Sequence, residues 1–313
     1  MPNKKNLIDF TNPLLVLAPL AGYTDLPFRS VVKKFGADLT ISEMISSNAL
    51  VFNSKRTFKM LEKSDNETPY IVQISSNNPD IAKEAVLILN DIDWIDGIDL
   101  NCGCPAPKVF SHGSGSNLLG DLNRLESILS TIKKYSTKQY TTAKVRIGIN
   151  DKIPVEIAKV IEGSGADFMA VHGRTKKGAY KAPVDYDAIK LMKESVSIPV
   201  IANGDIKDYK KANEVLEYTN ADGIMIGRGA IGKPWIFHQI KHQLDDVDNS
   251  IKKDIIIEHF NGMIETYAEH GTIMFRKHLH TYSKGYNGAN EFRQTVNTIK
   301  EPIEMLKVIK QFF

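Results

Sequence analysis

Short apolar runs alternate with amphipathic stretches along the first 240 or so residues of the chain. The runs are Leu14–Leu17, Leu39–Ile41, Tyr70–Ile74, Ile95–Leu100, Thr142–Arg146, Asp167–Val171, Ile198–Ala202 and Asp222–Ile226. Most are nearly continuously apolar, as strands buried on both faces of a parallel sheet are. Between them, Ile81–Leu89, Leu122–Ile132, Val155–Ile161, Tyr186–Met192 and Lys211–Leu216 carry apolar residues at helical spacing. The strand starts fall mostly 25 to 31 residues apart, the length of one strand, loop, helix and loop. The fourth interval is longer because Cys104–Gly120 is inserted there. Eight such units predict an α/β fold, a closed (β/α)8 or TIM barrel. A doubly wound open sheet is the competing arrangement, and the lack of a dinucleotide glycine fingerprint after the first run counts against it.

The pattern changes after residue 243. Asp245–Ser250 reads as a polar linker, and the rest reads as helices over Ile255–Glu269, Met274–Tyr286, Glu291–Thr298 and Ile303–Phe312. Glycines at 271, 285 and 288 punctuate them, and Pro302 suits a helix start. The division expected is a barrel over 1–243 and a small helical bundle over 244–313. That bundle is too small to enclose a ligand by itself, so it is expected to dock on the barrel.

Composition narrows the class only a little. With 42% hydrophobic and 25% charged residues the chain is ordinary for a globular protein, and a net charge of +3 does not by itself call for a polyanionic partner. No run of 18 apolar residues implies a membrane span, and Met1-Pro2-Asn3-Lys4-Lys5 has no signal-peptide character. The two cysteines, Cys102 and Cys104, are too few for a disulfide framework or a four-thiolate metal site. A reducing cytoplasm is the expected compartment, with no metal.

In such a barrel the chemistry sits at the C-terminal ends of the strands. There the chain offers Ala18–Gly22, Ser42-Glu43-Met44, Gln73, Asn101 and Cys104, Lys144 and Arg146, His172-Gly173-Arg174, Asn203-Gly204-Asp205 and Gly227-Arg228-Gly229. The seventh and eighth of these turns put small residues where backbone N–H groups can close on a phosphate, and Arg228 adds a charged donor. Lys144 then stands over whatever the phosphate tethers; beside a flavin it would stabilise the anionic reduced ring, with Gln73 adding amide hydrogen bonds. The turn Asn101–Pro105 is equally open to a structural reading, a β-to-α turn with buried cysteines.

These segments resemble the tRNA-dihydrouridine synthases, flavin enzymes that reduce uridine in tRNA. The resemblance lies in Ala18-Pro19-Leu20-Ala21-Gly22-Tyr23-Thr24-Asp25, Asn101-Cys102-Gly103-Cys104-Pro105, Lys144-Val145-Arg146, His172-Gly173-Arg174-Thr175, Asn203-Gly204-Asp205 and Met225-Ile226-Gly227-Arg228-Gly229. They run in family order over residues 14 to 240, and their wording is most similar to the bacterial B-type branch. Cys102 departs from the pattern, since other members often carry a residue such as Met there. The resemblance implies FMN held by Pro19, Leu20, Ala21, Gln73, Lys144, His172, Asn203, Gly204, Asp205, Gly227 and Arg228. It implies NADPH or NADH as reductant, hydride from the flavin N5 to uracil C6, and Cys104 as proton donor to C5. Cys102 is left to packing, while Asn101 and Arg174 are expected at the substrate. A cysteine, with a reference pKa of about 8.5, serves as an acid at neutral pH only if basic neighbours are kept away from it.

A tRNA substrate should leave an electrostatic trace. From His270 to Phe313 there are seven Lys or Arg against three acids, a net of +4 (7 − 3). Arg276-Lys277-His278 is expected to begin one helix, and Lys284 and Arg293 to flank its glycine turn. Arg276, Lys277 and Arg293 are the expected tRNA contacts, with Lys108 and His112 on the same face. No stable protein partner and no membrane are implied. The competing functions are an FMN barrel reductase of a free pyrimidine, like dihydroorotate dehydrogenase, and a non-catalytic RNA-binding module.

Overall fold

A computed structural model describes residues 6–313; the Met1–Lys5 stretch lies outside the described residues. The strands are β1 (Leu14–Leu17), β2 (Leu39–Ile41), β3 (Ile45–Ser46), β4 (Tyr70–Ser75), β5 (Gly97–Cys102), β6 (Tyr140–Arg146), β7 (Phe168–His172), β8 (Val200–Asn203) and β9 (Gly223–Ile226). All pair in parallel, in the order β2-β1-β9-β8-β7-β6-β5-β4-β3, and β2 also pairs with β4 through Thr40↔Tyr70. That last pairing closes the sheet. The eight-stranded barrel expected from the sequence is present, with its second strand broken into β2 and β3 by the polar Ser42–Met44.

Alternate residues explain the nearly continuous apolar runs. Leu14 and Val16 pack with Ile41, Ile71, Ile201 and Met225 inside the barrel, while Leu15 and Leu17 face the helix layer. The far end of the barrel is closed by chain before β1. Leu7 and Ile8 donate their N–H groups to the Tyr140 hydroxyl at 3.0 and 2.9 Å, and Phe10 meets Phe168 edge-on. That plug leaves the C-terminal strand ends as the open mouth.

The outer helices follow the expected spacing and extend one to three residues beyond it, for example Pro79–Asn90 and Tyr209–Thr219. A further helix, Leu26–Lys34, follows β1; Asp25 caps it and Pro27 lies in its first turn. The inserted fourth loop folds into a short helix, Pro107–Ser111, and a 3-10 turn, Gly115–Gly120.

The C-terminal helices run over Asn249–Tyr267, His270–Tyr282, Ala289–Thr298 and Pro302–Phe312. Two expectations change here. The first helix starts at Asn249, inside the supposed linker, whose Val247 is buried and whose Asp246 pairs with Lys252 at 2.6 Å. Arg276-Lys277-His278 lies within the second helix, not at its start. These helices share a core built on Phe260, Met263, Phe275, Leu279 and Met305, which Val31 and Trp235 join from the barrel side. No helix among the described residues is long and apolar enough to cross a membrane.

Candidate active site

A cavity of about 1440 Å3 opens at the C-terminal strand ends. Pro19, Leu20 and Ala21 line it after β1, and Gln73 lines it from β4. Asn101 and Cys104 come from the end of β5, Lys144 and Arg146 from β6, and His172 from β7. Asn203, Gly204 and Asp205 follow from β8, and Gly227 and Arg228 from β9. Thr281, Tyr282, Lys284 and Tyr286 reach its rim from the helical tail, so the bundle is docked beside the mouth. The volume exceeds the roughly 300–1,000 Å3 usual for one small ligand, leaving space for a cofactor and a nucleobase together.

The β5 turn is fixed by its own side chains. Asn101 Oδ1 accepts the N–H groups of Gly103 (3.2 Å) and Cys104 (2.9 Å), an Asx turn at the strand end. The Cys104 carbonyl takes both the N–H and the hydroxyl of Ser116, at 3.0 and 2.9 Å. Gly115, at φ 62°, allows that approach: a Cβ there would lie 2.8 Å from the Cys104 carbonyl oxygen. Cys104 is therefore held on a braced turn at the cavity wall. Cys102 is wholly buried, and burial pushes its thiol well above the usual range, in keeping with a packing role.

Below the cavity lies a buried polar network. Asn101 Nδ2 donates to Gln73 Oε1 at 2.7 Å, and Gln73 Nε2 donates to Asp99 Oδ2 at 2.7 Å. Asp99 Oδ1 accepts the Thr142 hydroxyl at 2.6 Å. Burial pushes the Asp99 carboxyl up to about 6, against the pull of Thr142, Gln73 and Lys144. Asp99 is not among the site residues expected from the sequence, although a lone carboxylate inside a doubly buried strand is a signal.

The opposite wall is cationic. Lys144 Nζ donates to Asn203 Oδ1 at 3.1 Å, and burial together with Arg146 brings its pKa down to about 8, leaving it protonated at neutral pH. His172 is neutral: burial and the charges of Lys144, Arg146, Arg174 and Arg228 lower it to about 2. Asp205 accepts from Arg174 and, at 2.9 Å, from Arg228, and the Arg174 hydrogen bond keeps its carboxyl below the usual range. Among the described residues, no backbone carbonyl takes the N–H of Gly204, Asp205, Gly227 or Arg228 in the loop hydrogen bonding. Gly204, at φ 140°, packs so tightly on Val184 that a Cβ would come within 2.8 Å. These loops thus bring N–H groups that no backbone carbonyl takes, together with Lys144 and Arg228, to one side of the cavity.

The chain matches the family model described as dihydrouridine synthase over residues 16–313. It belongs to that family. A probable tRNA-dihydrouridine synthase from Helicobacter pylori (strain ATCC 700392 / 26695) is 52% identical over 98% of this chain and 94% of its own. The tRNA-dihydrouridine synthase B of Vibrio parahaemolyticus is 38% identical, covering 96% of this chain and 95% of its own. Among solved structures, an old yellow enzyme homologue from Zymomonas mobilis superposes with a TM-score of 0.52 at 13% identity, covering 75% of this chain and 90% of its own. That likeness is one of fold, the barrel.

Within this dihydrouridine synthase family member, several expected contacts are placed differently. Arg174 does not line the cavity: it is 3% exposed and is spent on Asp205, on the Ala182 carbonyl at 2.6 Å and on His172. It braces the β8 loop through Asp205. Arg276 Nη2 holds the Ile299 carbonyl at 2.6 Å, and Arg293 Nε donates to Ser283 Oγ at 3.0 Å, so both are engaged within the helical tail. His278 is buried against Phe28 and Phe275, and burial lowers its pKa to about 3. Lys277 donates to the Gly22 carbonyl and lies over the Tyr23 ring, so it ties the tail to the β1 loop. Lys108 and His112 are exposed in the fourth loop. Cys104 does have a cation beside its turn: Arg146 Nε holds the carbonyl of the preceding Gly103 at 2.8 Å. Tyr180, also not among the expected residues, lines the cavity half-exposed, with Arg228 over its ring at 4.3 Å and Arg146 at 5.7 Å. Among the described residues, no cluster of three or more His, Cys, Asp or Glu could hold a metal.

Gly22 is held from both sides, because its N–H donates to Glu43. The neighbouring Asp25 feels the same group: burial and the Glu43 charge raise its carboxyl to about 6, while Lys277, the Phe28 N–H and Tyr267 oppose. A raised carboxyl stabilises the folded chain below the ordinary carboxylate range and loses that contribution as pH climbs through about 6. Asp25→Asn keeps a capping side chain and removes the buried charge. It is expected to raise stability at neutral pH by roughly 1–3 kcal/mol and to flatten the pH dependence between about 4 and 6, as read by thermal melts.

Proposed function

We propose that this chain is an FMN-dependent tRNA-dihydrouridine synthase that reduces the C5–C6 double bond of uridines in tRNA, with NADPH or NADH as the ultimate reductant. The observation that carries this is the convergence, in one cavity, of a cationic wall, a pair of polarised amides and a braced cysteine. The names of the relatives support the substrate, and the geometry suits the cofactor. The same N–H groups, of Gly204, Asp205, Gly227 and Arg228, stand where a phosphate needs donors. The Asp205 carboxylate on that side is neutralised by Arg174 and Arg228.

Bound there, the flavin would supply hydride to uracil C6. Lys144, held by Asn203, would offer a positive charge to a flavin bound in the cavity, the charge that favours its reduction. Pro19, Leu20 and Ala21 give the cavity an apolar side, and Gln73 offers an amide N–H and a carbonyl lone pair to the polar edge of a ring. Asn101 keeps one amide N–H for the uracil. Cys104 Sγ delivers its proton to C5, and the thiolate left behind recovers a proton from solvent. Arg146 is spent on the Gly103 and Thr175 carbonyls and Lys144 on Asn203, so neither is bonded to the thiol that gives up the proton. Base extrusion from the tRNA, a few kcal/mol, is offset by stacking in the cavity. The helical segment 244–313 belongs to this reading as a tRNA-contacting domain docked beside the mouth.

With Arg276 and Arg293 engaged internally, the lysines at the cavity rim are the better phosphate ligands: Lys176, Lys207, Lys233 and Lys284. Replacing Lys233 and Lys284 by alanine is expected to weaken tRNA binding and to reduce the slope of log K against log salt by roughly 0.7–0.9 for each phosphate no longer neutralised. Filter binding across a salt series reads both. Identifying FMN by mass in the denatured, coloured protein tests the cofactor; a colourless protein that takes up no FMN would refute it.

A further inference from the structure

Asp99 sits in the middle of β5 between Ile98 and Leu100, buried to 1% exposure and outside the cavity lining. Its register partners on the two adjacent strands are Gln73 and Thr142, and both donate to it. We propose that Asp99 is a positioning residue that holds the Gln73 amide in the one orientation Asn101 requires of it, and so fixes the donor–acceptor pattern that a ligand meets in the cavity.

The order of the network runs one way. The backbone N–H groups of Gly103 and Cys104 cannot invert, so Asn101 must turn Oδ1 towards them. Its Nδ2 then faces Gln73 Oε1 at 2.7 Å, which turns Gln73 Nε2 towards β5. An acceptor has to stand there, and Asp99 Oδ2 does so at 2.7 Å. The Thr142 hydroxyl, 2.6 Å from Oδ1, satisfies the other oxygen. Without that acceptor, Gln73 would hold a buried N–H unpaired and would gain by rotating. A rotated amide exchanges donor for acceptor at the ligand. The chain thus links a strand-centre carboxylate to the turn that carries Cys104.

The lock itself does not depend on the proposed function; only its consequence for turnover does. Gln73→Glu sets a second carboxylate against Asp99, and two carboxylates in contact share a proton. Adding Asp99→Asn removes the conflict: the introduced amide donates to the introduced carboxylate while its oxygen accepts the Thr142 hydroxyl. In flavin-free protein at about pH 8, Gln73→Glu should melt below wild type and recover on acidification to about pH 5.5. The double variant should regain at least about half of that deficit in melting temperature at the higher pH and show no such acid recovery. In turnover, Asp99→Asn, which still offers Gln73 an acceptor, should keep kcat within about threefold. Asp99→Leu should lower kcat at least about tenfold with the KM for tRNA little changed. A double variant no more stable than Gln73→Glu alone, or a wild-type kcat in Asp99→Leu, overturns the proposal. A wild-type protein that forms no dihydrouridine would overturn the proposed function and leave the melting results standing.

Discussion

Cys104→Ala is expected to lower dihydrouridine formation by about 10²–10⁴ while leaving flavin binding and NAD(P)H oxidation intact. The range is that of one positioned general acid. Cys104 lines the cavity, but its turn is held by Asn101 and Ser116 through backbone atoms, which the substitution keeps. No group of the cationic wall is touched. The loss should therefore fall on the step that protonates C5 and spare the preceding reduction. Single-turnover reduction by NADPH, followed by tRNA addition, separates the two. Wild-type dihydrouridine yield at wild-type rate in the variant would remove Cys104 from the chemistry. Cys102→Ala serves as the contrast: its cost should appear in stability, from the reduced packing around a fully buried side chain.

The second large effect concerns the support of the β1 loop. Arg29 and Glu67 form a salt bridge at 2.8 Å with side-chain exposures of 2% and 0%. Arg29 also holds the carbonyls of Thr24 and Glu62 at 3.1 and 2.7 Å, and Glu67 takes Thr40 Oγ1 at 2.8 Å and the Ser64 N–H at 2.9 Å. The pair thus pins the end of the Leu20–Thr24 turn to the chain before β4. Glu67→Gln leaves a buried guanidinium uncompensated and should cost about 3–5 kcal/mol, a fall in melting temperature of at least about 6 °C. Replacing both, Arg29→Met with Glu67→Leu, should cost less than Glu67→Gln alone, because desolvation of the two charges is no longer required. A melting temperature within about a degree of wild type for Glu67→Gln would contradict this account of the pair.

The barrel was legible because parallel strands covered on both faces must be apolar throughout, a pattern that needs no tertiary information. The cavity lining was legible for a related reason: strand ends share one rim, so polar residues at successive run ends must meet. The same logic does not reveal which charged groups are spent inside the protein. Arg174 and Arg276 read as free cations in the sequence, yet Asp205 takes one and the Ile299 carbonyl takes the other. Their partners lie 31 and 23 residues away, and only the fold brings them together. The carboxylate of Asp99 within a buried strand signalled a partner but not which one, and Tyr180 lies in a loop without periodicity. Arg29 and Glu67, 38 residues apart, gave no local sign of their pairing. The helix Leu26–Lys34 could have been found: Asp25 followed by Pro27 is a helix-start signal.

The central claim is that this cavity reduces uridine within tRNA at the expense of NAD(P)H. Its most direct test incubates the purified, FMN-loaded protein with NADPH and tRNA lacking dihydrouridine, then maps the tRNA by mass. The account predicts a gain of two hydrogens at defined uridines, one dihydrouridine for each NADPH consumed, and none with Cys104→Ala over the same interval. Unmodified tRNA, with free uracil or orotate reduced in its place, would contradict it.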